Sequence, residues 1–267
     1  MRIAIITTDS YFSRLLMSEL VEKKTGQIVS IVITPSRVRG KGLVGSAKYV
    51  YEKSGLKNLI YKVVVSLWIN CAECLYSLGV IKHCITPNNL AKVKDIEVFI
   101  SSDCNNDRTY KYLAKKDVDI IFSINVYQRI KKPVLDLPKI AAVNNHFGLL
   151  PKYKGMAPYI WAMAKGENEI GLTIHHMEAD FDEGEIILQE KISVEAGDSA
   201  MGVYLRGCGV ASTMIDEAVN ILENDKNYGI TQEEEGSYFS MPTRECVREF
   251  YARGYKLWTF KDLFEIL

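Results

Sequence analysis

Three polar residues of the types that catalyse acyl transfer occur in two short segments. Asn144 and His146 follow the apolar run 140–143, and Asp182 lies in a turn-like segment that ends at Gly184. Because alternate side chains of a strand point to the same side, Asn144 and His146 are predicted to face one spot. The amide can donate to an oxyanion, the imidazole can accept a proton from an attacking nitrogen, and the carboxylate can fix the imidazole's tautomer and stabilise its cation. The three types together indicate acyl transfer to an amine.

Each of these residues also has an ordinary structural interpretation. An asparagine at a strand end is usually a turn former, a lone histidine is usually a core or surface residue, and an aspartate before Glu-Gly is typical of turns. Two histidines at 175 and 176 occupy opposite faces of a predicted strand at 171–178, so only one of them can point toward the site. Neither histidine is assigned a catalytic role.

The sequence resembles the catalytic core of the formyltransferases that use 10-formyltetrahydrofolate. The resemblance rests on N-x-H followed by L-L-P-x-x-x-G at 144–155, and on G-L-T-I-H-H-M-E-A-D-F-D-E-G at 171–184. It is loose over 1–53 and close over 118–222. The family includes methionyl-tRNA formyltransferase, glycinamide ribonucleotide formyltransferase and the bacterial sugar N-formyltransferases. The resemblance implies that the catalytic residues are Asn144, His146 and Asp182.

The resemblance further implies two segments that hold the pterin ring of the folate. One is the loop after a predicted strand at 118–123, which in the family hydrogen-bonds the pterin largely through backbone groups; a plain strand-to-helix loop is the alternative. The other is the acidic turn before Asp182. The candidate folate-binding residues are Gln128, Arg129, Ile130, Met177, Ala179 and Asp180. The implied co-substrate is 10-formyltetrahydrofolate, and no metal is expected.

A basic segment with glycines follows the predicted strand 28–34. Open α/β sheets bind ligands beyond the carboxyl ends of their strands, so this segment is a candidate for holding a phosphate or pyrophosphate. It resembles an acceptor-side loop of methionyl-tRNA formyltransferase, and the alternative is a solvated loop. The candidate acceptor-binding residues are Arg37, Arg39, Lys41, Tyr153 and Lys154.

The opening of the chain predicts a Rossmann-like half. A strand at 2–7, a helix at 11–23 and a strand at 28–34 indicate a right-handed parallel crossover. No G-x-G-x-x-G follows the first strand, so a dinucleotide cofactor is not supported. The predicted fold class is α/β, with a Rossmann-like, mostly parallel sheet flanked by helices, an inserted apolar helix and a short C-terminal extension.

The predicted division is a formyltransferase catalytic domain at 1–222, with a helical insertion at about 55–86, and an extension at 223–267. The insertion departs from the family pattern. Its apolar residues are spaced for one broad helical face, but Lys62, Asn70 and Glu73 interrupt them. A membrane-spanning helix prefers ~20 apolar residues without charges, so no span is expected. A helix packed on the body, a dimer contact and a membrane-surface anchor remain open, in that order.

The overall composition excludes some classes of protein. Acidic and basic residues number 33 each, so the chain has no global attraction for a polyanion and no nucleic-acid partner is expected. The six cysteines do not suggest a disulfide framework, and C-A-E-C at 71–74 fits no common zinc module. The N-terminal apolar run is too short for a signal peptide, so a cytoplasmic location is expected.

The expected acceptor is the primary amine of a nucleotide-linked amino-dideoxy sugar used for surface polysaccharide. A methionyl-tRNA formyltransferase-like enzyme is the first alternative, although the tail is too short for the C-terminal barrel with which that enzyme holds its tRNA. Formylation of another amine metabolite is the next alternative. From a different class, a folate-binding regulatory protein stays open, as does homodimer formation.

Overall fold

The computed structural model describes residues 1–36, 41–233 and 235–267. Within these residues the main sheet has seven strands and a second sheet has two. The strands are β1 (Ile3–Thr8), β2 (Ile28–Thr34), β3 (Val98–Ile100), β4 (Ile120–Ile124), β5 (Ala141–His146), β6 (Lys154–Gly155), β7 (Glu169–His176), β8 (Ile186–Ser193) and β9 (Tyr238–Phe239). The main sheet has the order β3-β2-β1-β4-β5-β7-β8, and β6 pairs with β9.

The main sheet is parallel from β3 to β5, and β7 pairs antiparallel with both β5 and β8. All six residues of β1 are buried, because helices cover both faces of the sheet. Ile3 and Ile5 belong to the core on one face, and Ala4 and Ile6 belong to the core on the other. The predicted Rossmann-like, mostly parallel sheet is confirmed.

The helices surround this sheet and extend into the tail. They are α1 (Tyr11–Leu16), α2 (Ser18–Lys24), α3 (Leu43–Ser54), α4 (Leu56–Ser77), α5 (Pro87–Val93), α6 (Asp107–Ala114), α7 (Lys132–Leu135), α8 (Pro158–Lys165), α9 (Ala200–Asn224), α10 (Arg244–Ala252) and α11 (Phe260–Phe264). The helix predicted at 11–23 is divided at Met17. Beyond that division the Ser18 hydroxyl donates to the Leu15 carbonyl at 2.7 Å, a local bond of the kind that competes with regular helix.

The tail packs on the sheet-bearing part of the chain. Thr243 caps α10 through a hydrogen bond from the Cys246 N–H, and α10 contacts α8 and α3. Phe250 and Ile266 are fully buried in a second core, together with residues of α4, α8 and α9. The tail is therefore part of the folded body, while the division at 222 and 223 stays a prediction.

The helix predicted within the insertion is confirmed as α4. Tyr61, Val65 and Ala72 of α4 are buried against the body, which is the first of the three roles left open. The helix is also long and apolar enough to cross a membrane, judged by length and composition alone, and only 17% of its most apolar window is buried. The absence of a membrane span stays a prediction.

Candidate active site

The structure brings the three predicted catalytic residues together at the carboxyl end of β5. Asn144 and His146 lie on this strand, and Asn144 pairs with Ser123 of β4 on one side and with His175 of β7 on the other. Asp182 lies in the turn between β7 and β8, with its Oδ2 3.6 Å from Nδ1 of His146. The three residues thus converge on one place, and their catalytic roles stay predictions.

The turn that carries Asp182 has a strained and closely packed backbone. Asp182 has φ +57°, in the left-handed region, and its Oδ2 accepts a 2.8 Å hydrogen bond from the Gly155 N–H. A Cβ at Gly184 would collide with the backbone carbonyl of His176, so only glycine fits the close approach of this turn to β7. The glycine and the backbone donor together fix the position of the carboxylate.

His146 is oriented by a backbone carbonyl. Its Nε2 lies 2.8 Å from the Tyr153 carbonyl oxygen. Because a carbonyl can only accept, Nε2 carries the proton in the neutral ring, and Nδ1 is the basic nitrogen. That nitrogen faces Asp182 at 3.6 Å, which is longer than a direct hydrogen bond. The available base of His146 therefore points at the carboxylate, with a narrow gap between them.

Burial and charge set the ionisation of this pair. Burial lowers the pKa of His146 below its usual 6.5, against the opposing influence of the Asp182 charge. Burial alone would raise the pKa of Asp182, but the charge of His146, the contact with His175 and the hydrogen bond from the Gly155 N–H outweigh it and lower that pKa to about 2. At neutral pH the site holds an ionised carboxylate beside a neutral base.

His175 is a site residue to which the sequence analysis gave no role. Its Nδ1 donates to the His176 carbonyl at 2.7 Å, so in the neutral ring Nε2 accepts from the Asn144 amide at 3.2 Å. The same Nε2 lies 3.5 Å from Oδ1 of Asp182. His176 faces away and bonds the Tyr228 carbonyl. The pairing of β5 with β7 determines that His175, and not His176, faces the site. Strand alternation alone does not determine this.

The two predicted folate segments meet through Arg129. Its guanidinium donates to the Ala179 carbonyl, lies 3.1 Å from Oδ1 of Asp180 and stands 5.1 Å from the Phe181 ring. The loop after β4 and the turn after β7 therefore form one continuous wall beside the three converging residues.

The remaining folate candidates shape this wall from within. Gln128 is buried, accepts from the Cys104 N–H at 2.8 Å and donates to the Ser102 carbonyl at 2.9 Å. Ile130 is buried in the core on that face, and Met177 packs against the same core. These side chains hold the backbone of both segments in place, and their contact with folate stays a prediction.

The predicted acceptor residues are only partly placed. Arg37 and Arg39 lie outside the described residues, and Lys41 is exposed with its Nζ 4.9 Å from the Tyr49 ring. The Tyr153 hydroxyl donates to Glu167, and the buried Lys154 ammonium pairs with Glu183. The side chains of Tyr153 and Lys154 therefore make internal contacts, and acceptor binding by any of the five stays a prediction.

Comparison with known families identifies the class of protein. Residues 1–219 match the family model described as formyl transferase. Because the match covers most of the chain, the protein belongs to the formyl transferase family. The resemblance seen in the sequence is confirmed.

Known relatives and a solved structure agree with this assignment. The chain is 33% identical over 153 residues to GDP-perosamine N-formyltransferase of Brucella melitensis, covering 57% of this chain and 58% of that protein. It is 33% identical over 145 residues to the bifunctional polymyxin resistance protein ArnA of Wigglesworthia glossinidia brevipalpis, covering 54% of this chain and 22% of that one. The chain thus matches less than two thirds of the length of these relatives.

The fold is shared with the N-formyltransferase of Helicobacter canadensis, which was solved in complex with folinic acid and dTDP-3-aminofucose. The TM-score is 0.58 at 17% identity, over 90% of this chain and 71% of that one. This likeness supports the predicted fold class.

Proposed function

We propose that the protein transfers the formyl group of 10-formyltetrahydrofolate to the primary amine of a nucleotide-linked amino-dideoxy sugar. The observation that carries the proposal is the convergence of Asn144, His146 and Asp182 beside the wall joined by Arg129. Membership of the formyl transferase family supports the reaction, and the likeness to a GDP-perosamine N-formyltransferase supports the acceptor class. The structure of the Helicobacter canadensis N-formyltransferase with folinic acid and dTDP-3-aminofucose supports this pair of ligands.

In the proposed mechanism the free-base amine attacks the formyl carbon, and the carbonyl π-electrons move onto the oxygen. The Asn144 amide donates a hydrogen bond to this oxyanion. Nδ1 of His146 accepts the proton that the amine loses, and the resulting imidazolium stabilises the oxyanion from close by. The oxyanion then collapses, the bond between the formyl carbon and the folate nitrogen breaks, and that nitrogen takes the proton.

Asp182 acts on both stages of this reaction. Its carboxylate, 3.6 Å from Nδ1 of His146, stabilises the imidazolium and helps relay the proton toward the folate nitrogen. His175 fills the remaining side of the carboxylate and accepts from the Asn144 amide, which fixes the direction of that amide. We assign His175 a positioning role.

In this proposal the acceptor is bound through the basic segment that follows β2 in the sequence. This segment contains Arg37, Arg39 and Lys41, whose positive charges suit a pyrophosphate, and its two arginines lie outside the described residues. A sugar nucleotide would then direct its amine toward Asn144 and His146. The assay described next identifies the sugar and the nucleotide of the acceptor.

The test is an assay of tetrahydrofolate release with a panel of nucleotide-linked amino sugars, with methionyl-tRNA and free amino acids as further members. We expect at least one nucleotide amino sugar to accelerate release. If folate binds and no acceptor accelerates release, the folate-binding regulatory alternative replaces the enzyme. If methionyl-tRNA alone accelerates release, the sugar acceptor is wrong while the reaction class stands.

A further inference from the structure

Helix α4 is apolar on two opposite faces. One face carries Tyr61, Val65 and Ala72, which are buried in the second core. The opposite face carries an outer stripe, defined here as Leu56, Ile60, Val63 and Leu67, whose side chains are 58%, 48%, 47% and 64% exposed. Spacings of three and four residues align these four side chains along one side of the helix.

Further exposed apolar side chains lie on or next to α4. The ring of Phe264 packs edge-on against Trp68 of α4 at 5.8 Å between centroids, and Phe264 is itself 62% exposed. Leu78, directly after α4, is also exposed. Isolated exposed apolar side chains are ordinary, but a contiguous row of them on one helix marks a surface that another phase or molecule covers.

The charge around this surface indicates what covers it. Residues 41–83 contain six lysines against two glutamates, hence a net charge of +4, whereas the whole chain has a net charge of zero. Lys57 and Lys62 are exposed and lie on either side of the outer stripe, each roughly 90–130° around the helix from its centre. The Lys57 ammonium lies 4.0 Å from the centre of the Tyr251 ring. The exposed Lys62, together with the exposed Lys53 in the last turn of α3, therefore supplies the charge that an anionic headgroup layer would attract.

Two other occupants fit less well. A second copy of the chain would place two positively charged faces against each other, which opposes association. If α4 spanned a membrane, Tyr61, Val65 and Ala72 would leave the second core, and the stabilisation from burying them there would be lost. The same burial is retained if α4 lies in the plane of a lipid surface.

We propose that α4 docks on an anionic lipid surface and lies in the plane of the interface, with the outer stripe facing the acyl chains. The attraction combines insertion of the stripe with the pull of anionic lipids on the surrounding lysines. Docking through this face keeps the core contacts of α4 intact.

The test measures flotation of the full-length protein with phosphatidylcholine vesicles that contain or lack phosphatidylserine. We expect at least about tenfold more protein with the anionic vesicles at low salt, and a decrease when salt is raised to about 0.5 M. The double variant Ile60→Gln and Leu67→Gln should fall to the level seen with neutral vesicles. The double variant Lys53→Glu and Lys62→Glu should lose the preference for anionic vesicles.

The matched control is the double variant Val93→Gln and Ile100→Gln, since these side chains are 63% and 68% exposed and lie outside residues 41–83. It should float like the wild type, and all variants should keep the wild-type thermal midpoint within a few degrees. Equal capture by neutral and anionic vesicles, or wild-type flotation of the Ile60 and Leu67 variant, would overturn the proposal. A dimer in gel filtration that this variant dissociates would overturn it in favour of self-association.

Discussion

The chemistry proposed here depends on the protonation state of one buried imidazole. His146 donates from Nε2 to the Tyr153 carbonyl and keeps Nδ1 free to accept a proton. Burial lowers its pKa below 6.5, so the ring is neutral and basic at physiological pH. A neutral resting imidazole that becomes cationic only as the oxyanion forms stabilises the transition state more than the ground state.

The first prediction concerns pH. Since only the deprotonated ring can accept the amine proton, kcat/KM should rise with pH through an apparent pKa below 6.5, and deprotonation of the acceptor amine adds a separate step at higher pH. NMR titration of the His146 ring in the free protein checks the assignment. A ring of His146 that titrates at or above 6.5 would contradict the account.

The second prediction concerns the oxyanion donor. Asn144→Ala should lower kcat by roughly 10² to 10³, because one donor to the developing oxyanion is removed. KM for folate should change little, since the pterin wall is formed by other residues. The control is Asn168→Ala, at an exposed position away from the site, which should keep wild-type kinetics. Near-normal turnover of purified, folded Asn144→Ala would refute the assigned role.

At the scale of elements, the site depends on one turn fitting closely against one strand. The segment from Phe181 to Gly184 reaches over β7, and Gly184 lies against the His176 carbonyl. Neither the strand nor the turn alone would place the Asp182 carboxylate between His146 and His175.

The third prediction follows from this close approach. Gly184→Ala should displace the turn, separate Asp182 from His146 and reduce kcat by at least about tenfold, and it should also lower the thermal midpoint. Gly209→Ala is the control, because a Cβ there has open space and alanine favours a helix by up to about 1 kcal/mol. Full activity of Gly184→Ala would show that the turn tolerates the displacement.

Comparison of sequence and structure shows which elements local patterns determine. The strand β2 follows the prediction, because an apolar run is a local signal. The strand β5 includes Asn144 and His146 beyond the apolar run 140–143, because its partner β7 supplies the pairing. The helices α3, α5 and α11 were not predicted.

In the site too, local motifs predicted some features, whereas others depend on tertiary contacts. The N-x-H motif and the F-D-E-G turn identified three converging residues from the sequence. His175 could not be chosen over His176, because the choice depends on the pairing of β5 with β7. The sequence also did not predict that Tyr153 donates to Glu167 or that Lys154 pairs with Glu183, because both contacts depend on how the turns fold.

At the scale of the whole molecule, the sheet reverses its strand order between β1 and β4. Open α/β sheets bind ligands at such a reversal, and β5, with Asn144 and His146, is the next strand. The tail completes the body on the side of α8, where the Arg253 guanidinium donates to the Ala164 carbonyl. The tail therefore supports the helix that follows the L-L-P-x-x-x-G segment.

The fourth prediction tests this support. Phe250 is fully buried although it lies beyond the residues matched by the family model. Phe250→Ala should lower the free energy of unfolding by about 3 to 5 kcal/mol, as expected for removal of a buried aromatic ring. Chemical denaturation of both proteins measures the difference. A loss below about 1 kcal/mol would show that the tail is not part of the cooperative fold.

The most direct measurement of the central claim is mass-spectrometric detection of the formyl group moving from isotopically labelled 10-formyltetrahydrofolate to a nucleotide amino sugar. Single-turnover comparison of the wild type, His146→Ala and the Asn168→Ala control gives the rate of the transfer itself. We expect labelled formyl on the sugar amine with the wild type and the control, and a severe loss with His146→Ala. Equal transfer by His146→Ala, or no labelled product from any acceptor despite folate binding, would contradict it.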